Sequence, residues 1–504
     1  MLLYQYLQHS ARRFPGKTAL LCGGKGYTYA ELSISSDALA SYLHREGLTK
    51  GERVIIYLEN SVEAVIAIFG TLQAGGCIIV VNPTTPPERL AFLIENSGCR
   101  FLCMSDAKAE AVRQAEARCA RSLRKIIVGT AAGSPGDVSF SDVVREESGN
   151  APVSLISIDL AAIIYTSGST GKPKGVTLTH LNVDTVADSV AEYLENSADD
   201  IILCALQLSF GYGLLQLLVT FRTGATLVLE KGYGYPYDLI KKIKEHKVTG
   251  FAGAPTLFAL LLQLSNLDQE DFSCLRYITN AAAAMPQAFI PKLQKVFPHT
   301  RIYLMHGLTE VLRTTFLPPE EIDKRPTSVG RGMKNVELWI EDADGNRLGA
   351  GEAGELVVRG ANVMQGYWND PEGTSKVLLP GPYPWERVMH TGDLFTVDAE
   401  GFFHFVARMD EVIKSRGEKV SPLEVENVLL AMDEVFECRV IGVPDPILGQ
   451  AVKAEIVLKD SRTLDEKHVK AHCRLHLEDY RVPQIVQFVE AIPKTQGGKI
   501  RRVP

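Results

Sequence analysis

Tyr165-Thr-Ser-Gly-Ser-Thr-Gly-Lys-Pro-Lys-Gly175 reads as a loop made to hold a polyphosphate. Gly168, Gly171 and Gly175 allow backbone torsions that other residues resist, so successive amides can converge on phosphate oxygens. The hydroxyls of Thr166, Ser167, Ser169 and Thr170 add donors, and Lys172 and Lys174 bring positive charge. Ala161-Ala-Ile-Ile164 precedes the stretch and Val176-Thr-Leu-Thr179 follows it, which predicts a loop between two buried strands rather than a Gly/Ser linker. It is not a Walker A loop, because Pro173 stands five residues after Gly168, where that motif needs glycine.

Outward from this loop, short apolar runs alternate with amphipathic segments. Arg53–Tyr57 reads as a strand, 61–74 as a helix, Cys77–Val81 as a strand, 87–97 as a helix and Phe101–Met104 as a strand. Ile201–Cys204, Thr226–Leu229, a helix over 238–247 and Gly250–Gly253 continue the pattern. This alternation predicts an α/β fold of layered, largely parallel sheets. From about 338 to 408 the texture changes to short alternating strands with glycine turns, a small β-rich subdomain. After Arg408-Met-Asp410 comes a compact α+β segment, with helices at 422–432 and 465–477 and strands at 438–443 and 452–458.

At 504 residues the chain is too long for one ordinary core. Its 46% hydrophobic and 22% charged residues suit a soluble enzyme, and a net charge of −7 argues against general nucleic-acid binding. Nine scattered cysteines without a Cys-x-x-Cys pair predict reduced thiols, no zinc site and a cytoplasmic setting. The N-terminal residues lack the pattern of a secretory signal, and the apolar stretches 64–72 and 210–221 are too short to span a bilayer. Nothing in the sequence speaks to oligomeric state.

Further motifs follow in order. Met305-His-Gly-Leu-Thr-Glu310, after the strand-like Arg301–Leu304, offers Thr309 and Glu310 to a phosphate and its Mg²⁺, a cation that prefers oxygen. His390-Thr-Gly-Asp393 carries a carboxylate at an expected turn, suited to ribose hydroxyls. Arg408-Met-Asp-Glu-Val-Ile-Lys414, Gly417-Glu-Lys419 and Pro493-Lys-Thr-Gln-Gly-Gly-Lys499 complete the set. With Gly354-Glu-Leu, Gly366-Tyr-Trp and Pro371-Glu, the chain from Tyr27-Thr-Tyr-Ala-Glu-Leu32 to Lys499 resembles the AMP-forming superfamily of acyl-CoA synthetases, carrier-protein adenylation domains and firefly luciferases.

That resemblance implies a large N-terminal domain (1–408) and a small mobile C-terminal lid (409–504) hinged at Asp410. The implied reaction has two halves. A carboxylate attacks the α-phosphorus of ATP, giving an acyl-adenylate and pyrophosphate; a pantetheine thiol, of CoA or of a carrier protein, then displaces AMP. Lys499 would bridge the carboxylate and the α-phosphate, screening two anions that repel each other. Glu310 would be the Mg²⁺ ligand and Thr309 a phosphate contact. Thr166, Ser167, Gly168, Ser169, Thr170, Gly171 and Lys174 would cradle the phosphates, with Asp393 and Arg408 on the ribose. Lys499 must leave for the second half, and Gly417 would then border the thiol tunnel.

Departures from the family pattern bear on substrate. His306 stands where relatives place a tyrosine that stacks on adenine, a role imidazole can also fill. Asn280-Ala-Ala-Ala-Ala-Met285, including Ala281, replaces paired glycines in the expected adenine and acyl walls. Phe210, Gly211, Tyr212 and Leu215 line the expected acyl pocket. Gly211 stands where amino-acid-activating members carry Asp, so no carboxylate meets a substrate ammonium there. That predicts an aryl or short-to-medium acyl acid, not an α-amino acid, in a pocket with extra volume at Gly211. Arg313 either pairs with Glu320 or Glu321 or faces this pocket. Three readings stay open: a ligase using CoA, a freestanding ligase loading a carrier protein, and a non-catalytic nucleotide-binding protein.

Overall fold

The computed structural model describes residues 1–129, 136–146, 149, 153–167, 173–232, 235–460, 462–494 and 500–502. Two sheets organise the first 408 residues. In the strand Arg53–Tyr57, Val54 and Ile56 enter one core while Ile55 and Tyr57 enter another. In Ile201–Cys204 the same alternation sends Ile202 and Cys204 to the shared core and Leu203 to a third. A strand apolar on both faces must be covered on both faces, and the predicted runs were continuous for that reason.

The eight-stranded sheet runs Gly366–Tyr367, Pro173–Thr179, Leu160–Ser167, Cys77–Val80, Arg53–Tyr57, Phe101–Ser105, Arg124–Val128, Val138–Ser139. It is parallel except at the edge where the first three strands meet. The second sheet, of fourteen strands, has a parallel centre from Thr18–Cys22 to Arg301–His306. The expected β-rich subdomain is not a separate sheet. Its antiparallel strands extend the fourteen-stranded one through Thr315–Phe316, Ser328–Gly332 and Phe403–Arg408.

Helices apolar all round are the ones held between the sheets. Val62–Gln73, capped where Ser61 accepts from the Ala64 amide, buries every residue from Ala64 to Leu72. Gly211–Thr223 is buried from Gly213 to Phe221, and Phe221 stacks on Phe69 with ring centroids 5.2 Å apart. Amphipathic helices such as Pro87–Ser97 and Pro236–His246 cover the outer faces. Among the described residues no helix is long and apolar enough to cross a membrane.

Residues from Ile413 onward form a five-stranded sheet with its own core, built on the hairpin of Val435–Asp445 and Gly449–Leu458 and on helices Pro422–Leu430 and Glu466–His476. That core draws on residues 413–486 alone. The Ser421 hydroxyl, which caps the first of these helices, also donates to the Val406 carbonyl (2.6 Å).

Candidate active site

The two ends of the quoted stretch lie in paired antiparallel strands, Leu160–Ser167 and Pro173–Thr179, with Thr166 opposite Lys174. Gly168, Ser169, Thr170, Gly171 and Lys172 lie outside the described residues. Gly175 has a different role from the one its motif suggested. It sits within the second strand, and a Cβ there would lie 2.9 Å from Ile163 Cγ2 and 3.1 Å from the Tyr165 ring. Cross-strand packing, not a phosphate-binding torsion, requires glycine there.

Strand Arg301–His306 delivers the second motif, and a tight loop returns the chain antiparallel as Thr315–Phe316. Gly307 is needed because the returning Leu312 carbonyl would lie 2.3 Å from a Cβ. This loop holds Thr309 and Glu310, both half-buried. The hydroxyl of Tyr367 donates to Glu310 Oε1 (2.9 Å), and the Lys174 ammonium lies 4.8 Å from the Tyr367 ring centroid. Burial, then the charge of Glu310, pushes the Tyr367 hydroxyl far above its ordinary value, so it stays a donor. Strand Gly366–Tyr367 pairs with Pro173–Thr179, which is how the Lys174 strand and the Glu310 loop come together. Gly366-Tyr-Trp was visible as a motif, but nothing local in it assigned Tyr367 this bridging place.

Asp393 is not at a turn. It lies inside the long strand Arg387–Val397, next to Gly392 at φ +68°, where the register slips. The irregularity turns its side chain inward, and only 1% of that side chain is exposed. Arg408, directly opposite on the neighbouring strand, donates to Asp393 Oδ1 (2.6 Å), and His306 Nε2 lies 3.1 Å from Oδ2. His306 Nδ1 contacts Thr314 Oγ1 (2.8 Å), and its ring stacks towards Phe405 and meets the edge of Phe395. Both ring nitrogens therefore have protein partners. Burial raises the Asp393 carboxyl, but the hydrogen bond and charge of His306, then Arg408, outweigh it; the net position is below the ordinary carboxylate range.

Around Gly211, at the expected acyl pocket, Ile164, Leu178, Leu214, Leu215 and Leu312 are among the apolar residues that line a cavity of about 10 Å³. The extra volume expected at Gly211 is absent, because Leu312 Cδ2 would lie 3.1 Å from a Cβ at that position. Leu312 holds φ +55°, a left-handed conformation unusual for a bulky residue and a local strain. Phe210 precedes the helix carrying Gly211, Tyr212 and Leu215. Asn280 and Ala281 are buried at the end of strand Tyr277–Asn280. Ala282 follows at φ +76°, a backbone reason for the glycine expected in this segment. Arg313 is 2% exposed and lies over the Tyr212 ring, 5.2 Å from its centroid. It does not pair with Glu320 or Glu321; Glu321 pairs instead with Arg325 and Lys324.

Asp410 is in the connection between Phe403–Arg408 and Ile413–Ser415, its side chain 56% exposed and 3.8 Å from Arg408 Nε. Gly417 (φ +81°) and Arg416 (φ +55°) form the two-residue turn between Ile413–Ser415 and Glu418–Val420, with open space beside the Gly417 Cα. Lys499 lies outside the described residues. Its flanks are tied together by the bridge between Lys494 and Ile500, and to the C-terminal sheet by Lys494–Glu437 (2.8 Å) and Arg502–Glu426. Among the described residues no group of three or more potential metal-ligating side chains occurs.

Residues 7–368 match the model of the AMP-binding enzyme family, and residues 424–499 match that of the AMP-binding enzyme C-terminal domain. The chain is 32% identical to a feruloyl-CoA synthase of Amycolatopsis sp., covering 97% of this chain and 95% of the relative. It is 30% identical to a long-chain-fatty-acid–CoA ligase of Salmonella typhimurium, covering 99% and 93%. The crystal structure of the anthranilate CoA ligase AuaEII with anthranoyl-AMP superposes with a TM-score of 0.92 at 26% identity, covering 99% and 95%.

Proposed function

This chain belongs to the AMP-binding enzymes, and from that premise we propose that it is an ATP-dependent ligase joining a compact, amine-free carboxylic acid to CoA. The observation that carries this reading is the meeting of Lys174 and Glu310 at one phenol, beside an apolar cavity whose lining holds no charge. In the first half-reaction a carboxylate oxygen bonds to the α-phosphorus and pyrophosphate leaves. In the second the CoA sulfur bonds to the acyl carbon, AMP leaves and the thiol proton is released.

Within this scheme Thr166, Lys174 and Thr309 meet the phosphates. Asp393 meets the ribose: its carboxylate has lone pairs beyond those used by Arg408 and His306. Glu310 keeps one oxygen free of Tyr367, a fit to Mg²⁺, which binds through one or two carboxylates plus substrate phosphates. When bound, that ion supplies positive charge to the leaving pyrophosphate. Lys499 bridges the two reacting anions, and rotation about Asp410 between an N-terminal domain ending at 408 and the lid withdraws it for thiol attack.

Leu312 must move for any acyl group to enter, since the cavity is barely water-sized. Gly211 offers no carboxylate to an ammonium, which disfavours α-amino acids. Feruloyl and anthranoyl groups, named for the relatives, are aryl acids of suitable compactness. A panel of aryl, short-chain, medium-chain and amino acids, read by AMP release with CoA or a phosphopantetheinylated carrier protein as acceptor, tests the reading. It predicts turnover of amine-free acids with CoA. Preference for a proteinogenic amino acid, or for the carrier protein, would refute it.

A further inference from the structure

Arg313 and Arg439 are the two arginines buried below one-tenth exposure among the described residues. Arg439 is held by the Glu455 carboxylate. Arg313 has no such partner: among the described residues its side chain makes no ion pair, its hydrogen-bonding neighbour is the neutral Tyr193 phenol, and its Nε is buried without an acceptor. Its polar neighbours are two phenols, Tyr212 beneath the guanidinium and Tyr193 beside it. Neither is an anion. Burial pushes Tyr193 up to about 12 and Tyr212 higher still, and their hydroxyls are used by Met305 Sδ and Thr279.

A buried, uncompensated guanidinium is costly to a fold, and a ring face offsets only part of that cost. Its position supplies the reason to retain it. Leu312, the residue before it, lines the apolar cavity, and Tyr212, on which it lies, follows Gly211 on the helix that walls the same cavity. We propose that Arg313 is a specificity-determining residue that pairs with a second carboxylate on the acid substrate, distal to the one that is adenylated. The proposal rests on the ligase reading above and names its substrate class, a dicarboxylic acid.

Matched pairs test it: benzoate against benzene-1,2-dicarboxylate, and hexanoate against hexanedioate, each with ATP and CoA. The wild type is expected to favour at least one diacid over its monoacid by tenfold or more in kcat/KM. In Arg313→Leu that ratio should fall at least tenfold through the KM for the acid, with the KM for ATP changed less than twofold. Arg313→Lys should recover part of the ratio. A wild type that favours both monoacids, with the ratio unmoved in Arg313→Leu, overturns the proposal, as does a rise in the ATP KM in place of the acid KM. Should Arg313→Leu fail to fold, the wild-type thermal shift decides: a larger Tm rise with a diacid than with its monoacid supports the pairing, and an equal or smaller one refutes it. AMP release with monoacids alone would refute only this inference. No release with any acid would remove the ligase reading itself.

Discussion

Arg408 and Arg313 are joined by a short chain of contacts and live in opposite electrostatic circumstances. Arg408 meets Asp393, Asp393 meets His306, His306 meets Thr314, and Thr314 is the residue after Arg313. At the Arg408 end every charge has a protein partner. At the Arg313 end the guanidinium faces two neutral phenols. In the proposed scheme the nucleotide side is thus paired before any ligand arrives, whereas the acyl side is left for its ligand to complete. Pre-paired charges hold geometry; a buried charge without a counter-ion costs stability unless a ligand supplies one.

Lys499 is a third cation that pairs only transiently in the proposed scheme, and its removal should have the largest effect. Lys499→Ala is expected to slow acyl-adenylate formation by about 10²–10³-fold, the scale of losing one preorganised electrostatic contact. Conversion of preformed acyl-adenylate to thioester should stay near normal. Equal loss in both half-reactions, measured by single turnover, would rule out a lysine that serves only the first.

Next in size is Asp393→Ala, which strands Arg408 and His306. A fully buried pair broken this way costs about 3–5 kcal/mol; with Arg408 37% exposed we expect about 2 kcal/mol, measured by denaturant unfolding. The pH dependence has a definite sign. A carboxyl depressed in the folded state contributes stability above its unfolded value and loses it as pH falls through the folded one. The wild type should therefore approach the variant's stability on acidification below the ordinary carboxylate range. A constant gap down to strongly acidic pH would contradict the ion-pair account.

Arg313→Leu sharpens the contrast by going the other way. Removing an unpaired buried charge should leave the ligand-free protein as stable as the wild type or more stable by about 1 kcal/mol. A loss of 2 kcal/mol or more in the same unfolding assay would mean that a protein group already satisfies this guanidinium.

His390, three residues before Asp393, gives the smallest effect. Its hydrogen bond with Glu355 raises its pKa against the opposing influence of burial. A raised folded value means stability fully present below the unfolded value near 6.5 and lost as pH rises through the folded one. His390→Gln should cost about 0.5 kcal/mol in mildly acidic solution and almost nothing in mildly alkaline solution. A cost that grows with pH would reverse the assignment.

Much of the architecture was legible from period and punctuation. Arg53–Tyr57, Cys77–Val80, Pro87–Ser97, Ile201–Cys204 and Thr226–Leu229 lie where the apolar runs placed them, because two-sided burial writes itself as a continuous run. The misreadings have one cause. Gly175 looked like a phosphate-loop glycine but answers to Tyr165 on the paired strand. Asp393 looked like a turn residue because Gly392 precedes it, but the glycine marks an irregularity inside a strand. Gly211 suggested space that Leu312, a hundred residues on, occupies. Each depends on a neighbour from another segment, which no local pattern encodes.

The sequence by itself determined the layered α/β chain, the two strands that flank the glycine-rich stretch, the order of motifs that marks an AMP-binding enzyme, and the absence of an acidic side chain at Gly211. These follow from residue type and spacing, which act locally. Only the tertiary structure decided that Tyr367 joins Lys174 to Glu310, that His306 is bound at both nitrogens, and that Arg313 is buried without a counter-ion. Whether a charge is paired depends on which distant groups the packing brings within about 4 Å and on how much water it excludes, and folding sets both.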